Sequence, residues 1–136
     1  MNHPRTVQLV GIGMLLFLMG CAGATKQRSG GEAGLLGTWK VDLRPTPDAE
    51  PYYQEFIVEQ IEDGTFRGSF YHTPVENARL NTDWGEVHFA FTTADNSGAY
   101  NTSGVLRDGI LHGTTHSLAR GFLAVWTAER VALDAP

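Results

Sequence analysis

The sequence predicts an all-β domain: a small up-and-down antiparallel β-barrel of about eight strands, preceded by a signal peptide and a flexible tether. Three observations carry this. From Leu35 onward, short apolar or alternating segments recur at intervals of about ten residues, separated by Gly, Asp, Asn and Pro clusters, which is the rhythm of a sandwich or barrel. No window sustains the apolar spacing of a long helix. Glycine occupies 16 of 136 positions, a usage that suits many tight turns.

Eight segments qualify as strands: 35–42, 52–62, 65–72, 75–80, 86–93, 99–106, 110–116 and 122–131. Pro45, Pro47 and Pro51 mark the longest loop, between the first two, where a missing amide proton does no damage. Asp63-Gly64 and Asp108-Gly109 stand between strand-like runs and tolerate the positive φ of tight hairpins, and Asp95-Asn96-Ser97-Gly98 is a third such turn. These turns imply sequential antiparallel pairing. The segment Asp63-Gly64-Thr65-Phe66-Arg67-Gly68-Ser69 is echoed by Asp108-Gly109-Ile110-Leu111-His112-Gly113-Thr114. Alternation puts Phe66, Gly68 and Phe70 on one face, and likewise Leu111, Gly113 and Thr115. Glycine among bulky inward residues suits a strongly curved strand whose backbone is closely approached. Eight strands enclose an interior that side chains just fill, or that holds one small ligand.

Ahead of this domain, Leu9 to Gly20 is an apolar run following His3 and Arg5, the layout of a secretory signal. It is shorter than the roughly 20 apolar residues a membrane span needs. Its end, Leu18-Met19-Gly20-Cys21, resembles the lipobox of bacterial lipoproteins, with an aliphatic residue three before the cysteine and a small one just before it. The resemblance implies cleavage before Cys21, lipidation of its sulfur and acylation of the new amino terminus. Several acyl chains on one residue give stable anchoring where one is marginal. Ala22 in place of Asp as the second mature residue implies, by the same resemblance, an outer-membrane lipoprotein facing the periplasm. An ordinary secretory leader cut near Ala22-Gly23-Ala24 stays open as the alternative. Residues 22–34 hold no large apolar side chain and read as a tether. The chain thus divides into a signal peptide over 1–20, lipidated Cys21 and a linker over 21–34, and a barrel over 35–132.

Composition narrows the function. The net charge is −5, and a leader containing Arg5 and no acid leaves the remainder one unit more negative, so no nucleic-acid partner is expected. One cysteine excludes an internal disulfide and thiolate zinc sites of the ribbon or finger kind. His112 and His116 share a strand face but stand about 13 Å apart along it, too far for one metal without a bend. His72 offers no further pattern, and His88, alternating with Val87 and Phe89, should face solvent. No metal, cofactor or enzymatic activity is expected. Ser69, Ser97, Ser103 and Ser117 sit in no nucleophile-elbow pattern, Asp83 and Glu86 read as turn acids, and no phosphate loop is present.

The opening Leu36-Gly37-Thr38-Trp39, the Asp-Gly-x-Phe-x-Gly-Ser hairpin and the closing Trp126-Thr127-Ala128-Glu129-Arg130 resemble the lipocalin and avidin group of calycin barrels. The lipocalin likeness implies that Gly37 and Trp39 supply the Gly-x-Trp of the first strand and that Arg130 packs across Trp39 at the closed end. The hydrogen-bonding residues with which avidins hold biotin have no convincing counterparts, so biotin is not implied. Trp39, Phe66, Phe70, Phe89, Phe91, Tyr100 and Trp126 are then interior aromatics, which either fill a solid core or line a cavity open at one end. The expected function is a membrane-anchored barrel binding a small apolar or amphipathic ligand. The alternative is an envelope protein-protein interaction or inhibitor module using the barrel exterior, with Tyr52, Tyr53, Tyr71 and Trp84 as a rim for a protein partner.

Overall fold

The computed structural model describes residues 31–133. The leader, Cys21 and the tether as far as residue 30 lie outside the described residues.

A short 3-10 turn, Glu32–Leu35, leads into nine strands: β1 (Gly37–Asp42), β2 (Tyr53–Glu62), β3 (Thr65–Phe70), β4 (Thr73–Pro74), β5 (Glu76–Asn81), β6 (Val87–Asp95), β7 (Gly98–Arg107), β8 (Ile110–Ser117) and β9 (Phe122–Arg130). They form one antiparallel sheet in the order β4-β3-β2-β1-β9-β8-β7-β6-β5. The expected all-β up-and-down barrel is the observed fold. Pairing of β1 with β9 brings the two ends of the domain together. The remaining seam is bridged where Val75 N donates to Gly68 O at 3.0 Å and Leu80 N to Gly64 O at 2.8 Å, so the barrel is nearly closed.

Two details differ from the sequence expectation. The segment expected as a strand over 65–72 stops at Phe70, because Tyr71 and His72 take positive φ of 51° and 61° and reverse the chain. Thr73–Pro74 then pairs back on Ser69 and Phe70, adding the ninth strand. The folded unit also takes in Glu32–Gly34, assigned by sequence to the linker, because Leu35 is fully buried and draws the turn before it onto the barrel.

The hairpins behave as their residues dictate. Asp63-Gly64 has φ of 50° and 70°, and Asp108-Gly109 has φ of 50° and 78°, the left-handed pair that matches strand twist in two-residue turns. Asn96-Ser97 is set by an Asx contact, Ser97 N donating to Asp95 Oδ1 at 2.7 Å.

Across β6, β7, β8 and β9 the inward residues form four rows. At the closed end lie Val87, Leu106, Leu111 and Ala128; above them Phe89, Gly104, Gly113 and Trp126; then Phe91, Thr102, Thr115 and Ala124; and at the other end Thr93, Tyr100, Ser117 and Phe122. The second row explains its glycines. A Cβ on Gly113 would lie 2.3 Å from the Trp126 ring, and one on Gly104 2.5 Å from the Phe89 ring, so the two aromatics occupy the space the glycines leave. Gly68 is excluded from having a side chain by the Ile57 carbonyl, 1.8 Å from where Cβ would stand, beside a bulge in the β2–β3 pairing. Phe56 lies at the centre of the aromatic cluster, with ring centroids 6.0 Å from Phe66, 5.8 Å from Phe70 and 5.2 Å from Phe91.

Candidate ligand pocket at the open end

The two ends of the barrel differ in chemistry. At the closed end the Arg130 guanidinium stacks on the Trp39 ring at 4.3 Å and donates to the carbonyls of Leu36 and Gly34. Trp39 Nε1 donates to Leu35 O at 2.9 Å. Gly37 is required here, since a Cβ would meet Arg130 Nη1 at 2.6 Å. Tryptophan, arginine and the 3-10 turn together form a plug.

The opposite end carries the β1–β2 loop, the Tyr71-His72 turn and the β6–β7 and β8–β9 turns, and it contains a cavity of about 270 Å³. Its apolar wall is Leu43, Phe70, Phe122 and Ala124, and its polar groups come from Tyr71, Thr73, Thr93, Asp95, Ser97, Tyr100, Thr115 and Arg120. Short side chains of the third row, Thr115 and Ala124, line it together with Thr93, Tyr100 and Phe122 of the topmost row. Below it, Thr115 Oγ1 accepts from Trp126 Nε1 at 3.0 Å and shares a 3.0 Å hydrogen bond with Thr102, so the indole nitrogen is satisfied inside an otherwise apolar interior.

The rim is tied together by phenols. The Tyr52 and Tyr71 hydroxyls hydrogen-bond to each other, joining the β1–β2 loop to the β3–β4 turn, and Gln54 Nε2 donates to the Tyr52 oxygen at 3.2 Å. That contact, which favours the neutral phenol, holds the Tyr71 hydroxyl above its usual pKa. Tyr71 and His72 are bulky residues in the left-handed region, a conformation costing roughly 1–2 kcal/mol each. Such strain persists where the surrounding structure fixes it, often at ligand sites.

Among the proposed interior aromatics, Trp39, Phe66, Phe70, Phe89, Phe91 and Trp126 are buried in one cluster. Tyr100 is different: half-buried in the topmost row, it lines the cavity and does not join the core. Interior filling and a cavity therefore coexist, one below the other. Tyr52, Tyr53, Tyr71 and Trp84 do not make a common rim. Tyr52 and Tyr71 meet at the mouth, Tyr53 lies under Lys40 at 4.7 Å on the outer face, and Trp84, 84 % exposed, sits in the β5–β6 loop at the closed end. His88, His112 and His116 point outward from their strands. Glu86 pairs with Arg107 at 2.6 Å, which holds its carboxyl below the usual range. Asp83 lies in a turn set by Asn81, whose Oδ1 accepts from Asp83 N at 3.0 Å. No three His, Cys, Asp or Glu side chains converge among the described residues.

Sequence reasoning passed over Phe56 and Arg120. Phe56 was legible in the alternation of Glu55, Phe56, Ile57, Val58 and Glu59 across two faces. Arg120 was legible only as a cation in the turn Leu118-Ala119-Arg120-Gly121, and its place beside the other mouth turns needs the barrel. No protein-family model, curated protein or solved structure matches this chain.

Proposed function

We propose that the chain is a membrane-anchored, lipocalin-like binding protein, not an enzyme, whose barrel holds a small apolar or amphipathic ligand at its open end. The observation that carries the reading is the cavity of about 270 Å³ with an apolar wall and a polar rim, close to the lower limit of the ~300–1,000 Å³ of small-molecule sites. The lipocalin likeness is supported by Gly37, Trp39 and Arg130, whose stacking plugs one end and leaves the other for entry. The anchor, with an envelope location on the periplasmic face of the outer membrane, rests on the lipobox-like Leu18-Met19-Gly20-Cys21.

Native mass spectrometry of the protein extracted from its envelope tests the ligand reading. A non-covalent small-molecule mass is expected on the wild type and should vanish in Ala124→Phe, which fills the cavity. Repeated preparations with no such mass would defeat the proposal.

A second reading has its own observation. Leu123 and Val125, 61 % and 70 % exposed, stand side by side on the outer face of β9, with Leu118 exposed in the adjoining turn. Such a patch suits an envelope protein partner. Under that reading Leu123→Asp abolishes partner capture and leaves the cavity's ligand in place.

A further inference from the structure

We propose that the mouth of the barrel reads the charge of its ligand: it takes an anionic amphiphile, its carboxylate or phosphate held by Arg120 and its chain laid against Phe70, Phe122 and Ala124. This rests on the cavity being a ligand site and adds the chemical class of the ligand.

The first observation is the state of Arg120. Every other arginine in the described residues is engaged: Arg44 with Asp42, Arg67 with Gln60, Arg79 with the Ala78 carbonyl, Arg107 with Glu86, and Arg130 with two carbonyls. The Arg120 guanidinium makes no hydrogen bond or ion pair among the described residues. It lies over the Phe122 ring at 4.8 Å, which positions it on the cavity wall. A planar guanidinium presents a fork of donors matched to carboxylate and phosphate oxygens.

The second is a hydroxyl on the cavity wall. Thr93 is 5 % exposed, lines the cavity and makes no side-chain hydrogen bond among the described residues. No buried side-chain polar atom among the described residues lacks a partner, so the Thr93 hydroxyl opens onto the cavity, where a polar ligand atom can meet it. Thr93 is paired in register with Tyr100, placing a second hydroxyl-bearing side chain beside it.

Asp95 also lines the cavity, and its presence has to be reconciled with an anion. Its Oδ1 already accepts from Ser97 N at 2.7 Å, and it forms no ion pair with Arg120, so it faces its own turn and leaves the guanidinium unmatched. The ligand's apolar part is limited by volume. At about 270 Å³ the cavity lies just below the ~300–1,000 Å³ of small-molecule sites, so a long chain projects from the mouth.

Titration calorimetry of the purified full chain with decanoate, decyl phosphate, decanol and decyltrimethylammonium, each below its micelle concentration, decides this. Decanoate or decyl phosphate should bind about tenfold more tightly than decanol, and Arg120→Gln should erase that preference while leaving decanol binding unchanged. Arg120 is exposed, so retained decanol affinity also shows that the variant is folded. Equal binding of decanol and the anions, or strongest binding of the cation, would overturn the anion assignment and leave the ligand site standing. If none of the four binds, the ligand-site reading itself fails.

Discussion

Arg130 shows how much one side chain does at the closed end. It stacks on Trp39 and donates to the carbonyls of Gly34, in the 3-10 turn, and Leu36, just after it. Arg130→Ala removes a cation–π contact and two charge-assisted hydrogen bonds, and should lower stability by about 1–3 kcal/mol in urea unfolding. Arg130→Lys, lacking the planar fork, should recover only part of it. A wild-type midpoint in Arg130→Ala would show that the plug contributes nothing. At the other end, the hydrogen bond between the Tyr71 and Tyr52 hydroxyls favours the neutral Tyr71 phenol and raises its pKa above the ordinary value. A raised folded-state pKa means that this contact contributes fully below the ordinary phenol range and is lost as pH rises through the Tyr71 pKa. Tyr52→Phe should therefore bring the ultraviolet titration of Tyr71 down toward that of free tyrosine, and an unchanged titration would show that the two hydroxyls do not interact in solution.

Strands β7 and β8 each place a glycine in the second inward row. Gly104 and Gly113 face each other in register, and the Phe89 and Trp126 rings lie where their side chains would be. The wide aromatics thus pack close to the sheet, which keeps the second row dense while the rows above it open. Gly113→Ala forces its methyl into the indole and should cost about 1–3 kcal/mol, the range of overpacking in a core. Gly31→Ala, with nothing within 4 Å of the added atom, is the matched control and should change little. Equal unfolding midpoints in the two variants would mean that the indole moves aside freely.

For the molecule as a whole, the pairing of β1 with β9 makes the domain self-contained and starts the described chain at the plugged end, with the cavity opening at the other. Lipidation of Cys21, as proposed, would attach the chain to the membrane through the segment that precedes the plugged end. Cys21→Ser should move the protein from the membrane to the soluble fraction, and unchanged fractionation would remove the anchor from the proposal. Because the described chain enters the barrel at the plugged end and the cavity opens at the other, the soluble variant should keep its ligand preference.

Much of the architecture was legible before any coordinates. Asp63-Gly64 and Asp108-Gly109 demand left-handed turns, alternation places Phe66, Phe70 and Leu111 on one face, and Gly68 and Gly113 among bulky residues mark close approach, because each of these depends on neighbours in the chain. The reversal at Tyr71-His72 was not legible, since neither residue favours positive φ and only the surrounding contacts hold it there. The same is true of the site. Sequence alone determined an acidic all-β domain with a core of aromatics at two-residue spacing. Only the tertiary structure decided that Tyr100 sits above that core rather than in it, that Trp84 is far from Tyr52 and Tyr71, and that Arg120, Thr93 and Phe70 meet around one cavity. Closing the sheet brings together residues from turns as far apart in the chain as Leu43 and Arg120, and no local pattern records which of them will share an end.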